Sequence, residues 1–152
     1  MSFTVAEGRQ EILDRLAAAI ALLATAVATL SVAYERLDEQ SSDALEEQLF
    51  RPVQLAFGRA QRTYNEFADR SGLERVDAAG GAAGPERQHA TELIERAAES
   101  VRTADTTIAD LQDSMLPVEV GDQELRAGLS ETRSLVDHVP ALAQQFVRTV
   151  GR

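Results

Sequence analysis

Residues 13–37 read LDRLAAAIALLATAVATLSVAYERL, and the fold follows from the spacing of their apolar positions. Taken at alternating intervals of three and four, the large apolar side chains are Leu13, Leu16, Ile20, Leu23, Val27, Leu30, Tyr34 and Leu37. This is a heptad seam, which turns one stripe of an α-helix toward a partner helix. From Leu16 to Tyr34 the stretch carries no charge. The seam outruns that uncharged centre at both ends, so its length answers to a protein partner rather than to a bilayer.

The face opposite the seam sets this helix apart. An amphipathic helix ordinarily carries charges there. Here the face reads Ala18, Leu22, Thr25, Thr29 and Val32, with Ala21 and Ala28 beside it. Such a strip exposes on the order of several hundred Å² of mildly apolar surface, the upper end of what soluble monomers leave open. It is the expected partner interface. Its small residues allow a second helix to approach closely, and a second copy of the chain in a symmetric homodimer is the expected occupant, with another helical protein, or no cover at all if the helix sits centrally in a less regular bundle, as the alternatives. A membrane is the third cover to weigh, because residues 16–34 match a minimal span. The many Ala, Thr and Ser residues, the flanks Asp14-Arg15 and Glu35-Arg36, and the lack of a one-sided Arg bias or an aromatic belt argue against it. No basic leader precedes the apolar run, so a cytoplasmic protein is expected.

Three further helical patterns follow. The first helix is expected over 5–39, ending at Gln40-Ser41-Ser42. A second, over 43–71, opens on the capping pair Asp43 and Glu46 and buries Leu49, Val53, Ala56, Ala60, Tyr64 and Phe67, flanked by Phe50 and Phe57. Pro52 lies inside it and predicts a kink or a separate leading turn. Gly72 is a natural stop, and the Gly/Ala-rich segment 73–84 reads as a flexible loop. A third helix, 85–116, has the seam Ala90, Ile94, Ala97, Val101, Ala104, Ile108, Leu111 and Met115. A fourth, 122–150, begins at an Asp122 cap and carries Leu125, Leu129, Thr132, Val136, Val139, Ala143, Phe146 and Val150, with Pro140 predicting a kink. Short first and third connections make helices 1–2 and 3–4 antiparallel neighbours. The expected fold is therefore all-α, a single-domain up-down-up-down four-helix bundle with coiled-coil-like seams, with a crossover across the long 73–84 loop as the alternative the sequence leaves open.

Charge and composition narrow the function. A net charge of -10 repels a phosphate backbone, which argues against nucleic acid as a partner. Arg59, Arg62 and Arg70 form the densest basic face, but Glu66 and Asp69 are interspersed, as on a solvated mixed-charge face. The absence of Cys removes disulfides, thiolate metal sites and cysteine nucleophiles together.

The remaining chemistry is sparse. Glu86 and His89 have the Glu-x-x-His spacing that places two metal ligands on one helix face. No second pair exists, since Leu135 stands three residues before His138, and Glu is favoured in a first turn by the helix dipole. Ser134, Asp137 and His138 cluster in sequence, but Asp137 faces away from the other two and no oxyanion nest adjoins them. Tyr34 and Asp38 have the Tyr-x-x-x-Asp spacing of mycobacterial-type secretion substrates, without the Trp-x-Gly turn that accompanies it. Neither catalysis nor a cofactor is expected. A small-molecule or metal-binding bundle is the alternative, with a pocket where the prolines splay the helices and Tyr64, Thr132 and His138 line it.

Overall fold

The computed structural model describes residues 3–77 and 89–150. Helix α1 (Val5–Glu35) starts at a capping box. Thr4 Oγ1 accepts from the Glu7 N–H and Glu7 Oε1 accepts from the Thr4 N–H, each at 3.1 Å. Its buried line is Ile12, Leu16, Ala19, Leu23, Ala26, Leu30 and Ala33, widened by Leu13 and Ile20. The expected seam is thus rotated by roughly half a residue step. Val27 and Leu37 are half-buried and Tyr34 is exposed, while Ala19, Ala26 and Ala33 take the inner positions. Alanine at every seventh residue lets a facing backbone come close, and that gain outweighs burying the larger Tyr34 and Leu37.

The second helix begins earlier than its sequence suggests. The Asp38 carboxylate accepts from the Ser41 N–H at 2.8 Å and opens α2 (Glu39–Leu45), so Gln40-Ser41-Ser42 is helical and Asp43 does not cap. The Ser42 hydroxyl donates to the Tyr34 carbonyl at 2.9 Å, fastening α2 to the end of α1. A π-helical turn, Glu46–Phe50, then leads into α3 (Arg51–Ser71) with right-handed helical backbone at each junction. In that turn the Arg51 N–H bonds to the Glu46 carbonyl five residues back. Pro52 explains the widening: it has no N–H for the carbonyl four residues earlier, and its ring would strike that group in a regular α turn. The extra residue relieves the clash, so the helix neither breaks nor forms a separate turn.

Gly72, with φ of 68°, ends α3 in the left-handed conformation that glycine adopts freely, and the Leu73 N–H reaches back to the Ala68 carbonyl at 2.9 Å. The chain then folds back along α3, where the Val76 N–H donates to the Tyr64 hydroxyl at 3.0 Å. Of the expected loop, 78–84 lies outside the described residues, as does the expected helix start at 85.

Helix α4 (Ala90–Asp113) ends before residue 116. Met115, the expected last member of its seam, has φ of 68° and is exposed. A single turn, α5 (Leu116–Glu119), follows. Asp122 caps α6 (Gln123–Val136) as expected, accepting from the Leu125 N–H at 2.8 Å. The fourth helix is divided rather than only kinked: α7 (Val139–Val150) resumes two residues after α6, with Pro140 in its first turn. Every regular element among the described residues is helical.

Helix α1 packs most extensively on α4 and next on α3, α3 packs on α6, and α4 packs on α7 and α6. Side chains fix the directions. Arg9 Nε donates to the Val120 carbonyl at 3.0 Å, so the start of α1 lies beside the end of α4. Arg70 pairs with Asp122 at 2.7 Å and Arg59 with Glu131 at 2.7 Å, which sets α3 and α6 antiparallel. Arg133 pairs with Asp105 at 2.9 Å, which does the same for α4 and α6. The start of α1 and the ends of α3 and α4 therefore share one end of the molecule. This departs from the expected up-down-up-down order, in which α4 would run antiparallel to α3 and beside it. Helix α4 lies against α1 instead.

Candidate interaction surface

The outward face of α1 is made of Ala18, Ala21, Ala24, Thr25 and Ala28, without charge, with Ala18 exposed and the others half-buried. The expected interface is corrected at three positions by the rotation of the seam. Thr29 is 2% exposed and belongs to the core, and Leu22 and Val32 are half-buried and pack against it. Ala18, exposed, and Thr25, half-buried, stay on the outward face. Counted from Leu16 to Tyr34, the uncharged stretch is about 27 Å long at 1.5 Å per residue.

Hydroxyl groups on and beside this face are satisfied within the helix. Thr25 donates to the Ala21 carbonyl at 3.0 Å, Thr29 to the Thr25 carbonyl at 2.8 Å and Ser31 to the Val27 carbonyl at 2.9 Å. Threonine and serine in mid-helix commonly close such bonds four residues back. The strip consequently presents methyl groups and already bonded hydroxyls. By length and composition α1 is also apolar enough to cross a membrane, with mean hydropathy of 2.2 in its best window, of which 44% is buried in the fold.

At its C-terminal end the strip runs into a shallow groove of about 380 Å³ lined by Ser31, Tyr34, Glu35, Glu46 and Phe50. Tyr34 is 39% exposed there. A second groove, about 490 Å³, separates α4 from α7 beside Pro140, with Ala98, Ala143 and Val147 in its floor and Glu95, Glu99 and Arg148 at its rim. The proline break thus opens a groove, but the expected lining residues do not gather in it. Thr132 is buried and donates to the Gly128 carbonyl at 2.8 Å on its own helix, Tyr64 accepts from Val76, and His138 is exposed at the junction of α6 and α7. These three do not form a shared site.

His89 is exposed at the N-cap of α4, and Glu86 lies outside the described residues. Among the described residues no three His, Asp or Glu side chains stand close enough to hold a metal ion. Each arginine of the densest basic face has a carboxylate near it: Glu131 for Arg59, Glu66 at 3.9 Å for Arg62, and Asp122 for Arg70. Burial acts to raise the Asp122 carboxyl, but hydrogen bonds from Arg70 and the Leu125 N–H, with the charges of Arg70 and Arg126, hold it below the usual carboxylate value. The Arg59 bond and charge lower Glu131 in the same sense, and the Asp105 bond raises Arg133. These perturbed groups join α6 to α3 and α4, so their shifts have a structural cause.

Ala24 joins the face because the buried line runs through Ala19, Ala26 and Ala33, small residues that a seam of large apolar side chains does not weight. No family model, curated protein or solved structure matches the chain.

Proposed function

We propose that the protein is a non-catalytic, cytoplasmic helical-bundle interaction or scaffold protein that self-associates through the outward face of α1. The observation that carries this reading is the partly exposed, uncharged strip from Ala18 to Ala28, whose hydroxyl is bonded within the helix. Covering it with a like surface removes methyl groups from water at little polar cost. Its small side chains favour close helix contact.

We read the packing as a four-helix bundle of up-down-down-up order, with α2, the π turn and α3 as one column and α6 with α7 as another. The connection from Gly72 to His89 then links opposite ends. Seventeen peptide steps span up to about 55 Å when extended, enough for the roughly 36 Å of α4. The turn back toward Tyr64 starts the chain in the required direction.

The test is a double change, Ala21→Glu with Ala28→Glu, on the open face. A soluble, equally helical monomer from a wild-type dimer is the expected outcome, and an unchanged oligomer would contradict the reading. The hydropathy of α1 favours a second reading, association with a membrane. Flotation of the wild-type protein with anionic and neutral vesicles, abolished by the same two changes, would support it instead.

A further inference from the structure

The groove at the C-terminal end of α1 differs from the uncharged strip beside it in both charge and shape. Ser31, Tyr34 and Glu35 form its α1 wall, being three and four residues apart and so on one helix face. Glu46 and Phe50, the first and last residues of the π turn, form the other wall, and α1 packs against that turn. Single π turns within α-helices recur at functional sites, and this one supplies two of the lining side chains. The volume of about 380 Å³ lies at the small end of clefts that hold ligands.

The chemistry of the lining selects a cation. Tyr34 is exposed and Phe50 half-buried, so each wall offers the groove an aromatic ring. An aromatic face attracts a cation within about 6 Å through its quadrupole. Each wall also carries an exposed carboxylate, Glu35 on one and Glu46 on the other, and among the described residues neither takes part in a salt bridge. The Ser31 hydroxyl is already bonded to the Val27 carbonyl. An apolar occupant would leave both carboxylates unanswered, and an anion would be repelled. The surroundings act in the same sense, since residues 35–50 hold six carboxylates and one cation, half of the chain's net charge of -10. That cation, Arg36, is engaged within the fold, and neither it nor Arg51 lines the groove.

A second copy brings the same net negative charge to this end, so the occupant that charge complementarity favours is a different, basic chain. Arginine suits the lining better than lysine, because its planar guanidinium stacks on rings while presenting several N–H donors to carboxylates. We infer that the groove between α1 and the π turn receives an arginine side chain from a basic segment of another protein, its guanidinium against the Tyr34 and Phe50 rings and its N–H groups donating to Glu35 and Glu46. This contact is separate from the self-association proposed above. The strip is uncharged and pairs like with like, whereas the groove is acidic and takes the opposite charge.

The probe is the peptide acetyl-Gly-Gly-Arg-Gly-Gly-amide, titrated into isotope-labelled protein and followed by amide and aromatic NMR shifts. The same peptide with citrulline, which keeps the shape and removes the charge, is the control. The inference expects saturable shifts gathered at Tyr34, Glu35, Glu46 and Phe50 with the arginine peptide and none with citrulline. Tyr34→Ala and Glu46→Gln are each expected to weaken binding about two- to fivefold, the size of an exposed cation–π contact or ion pair, and Tyr34→Phe to keep most of the affinity because the ring remains. Both positions are exposed, so these variants keep the fold, which circular dichroism checks. Asp110→Asn makes the same change of charge near the end of α4, at the opposite end of the molecule, and is expected to leave the affinity unchanged. Equal shifts with citrulline, shifts spread over the acidic surface, equal losses from Asp110→Asn and Glu46→Gln, or no saturable shift at all would overturn the inference. The variant carrying Ala21→Glu and Ala28→Glu keeps every lining residue, so it is expected to bind the peptide as the wild type does, whether or not the wild type is a dimer. Loss of binding in that variant would overturn the groove as a separate site.

Discussion

A Cβ added at Gly128 would lie 2.1 Å from Thr63 Oγ1, across the contact between α6 and α3. Thr63 is 3% exposed, and its hydroxyl both donates to the Arg59 carbonyl and accepts from Arg59 Nη1, each at 2.8 Å, so it has no free direction in which to swing. Gly128→Ala improves helix propensity by about 1 kcal/mol, but overpacking costs about 1–3 kcal/mol, and the clash here is severe. A lower melting temperature by circular dichroism is expected, and an unchanged one would mean that the helices are not so close. Met115 is the opposite case. Its left-handed backbone costs an L-residue about 1–2 kcal/mol, and its side chain is exposed. Met115→Gly removes that strain at some cost in unfolded-chain entropy, so urea denaturation should show a gain of up to about 1 kcal/mol. Asp122 sets an acid limit. Its folded pKa lies below the usual 3.8, so its stabilisation is complete above that value and disappears as pH falls through the folded one. Asp122→Asn keeps an N-cap but loses the charged pair with Arg70. Melting temperatures recorded from pH 7 to pH 2 should fall less steeply in this variant than in the wild type below about pH 4.

Among the elements, α1 separates two adjacent positions that sequence alone treats alike. Thr29 is buried and Ala28 lies on the open face. A glutamate at 29 must place its carboxylate in the core, whereas one at 28 meets water in the monomer. Thr29→Glu is expected to destabilise the fold by several kcal/mol in chemical denaturation, and Ala28→Glu to leave the monomer's stability nearly unchanged. At α2, removal of the Asp38 cap by Asp38→Ala should cost about 0.5–2 kcal/mol. The seams of α3, α4 and α6 with α7 were legible because their large apolar residues are the buried ones: Val53, Ile94, Val101, Leu125 and Leu129 all lie in the core. The inner line of α1 was legible only in part, since its phase depends on alanines that a count of large side chains overlooks. The π turn was hidden for another reason. Pro52 signals a disturbance, but tertiary packing of Leu45, Leu49 and Val53 on one side decides that the chain widens rather than breaks. The capping box of Thr4 and Glu7 is written in the sequence as Thr-x-x-Glu. The pocket around Tyr64, Thr132 and His138 had no such basis, because a side chain's hydrogen-bond partner is set by neighbours that spacing does not identify.

For the whole molecule, the helix order has a consequence for how α1 can be covered. Helix α1 packs on α3 and α4, which leaves its outward face as the open side of that pair. The net charge of -10 opposes bringing two copies together, so self-association through an uncharged strip should strengthen as salt screens the remaining carboxylates. Association that weakened sharply with salt would indicate a charge-driven contact elsewhere. The most direct measurement is the molar mass of the detergent-free wild-type protein by light scattering, over a range of concentrations and at two salt levels. The account expects a species of about twice 16.5 kDa that dissociates on dilution, whereas a 16.5 kDa monomer at every concentration and salt level would contradict it.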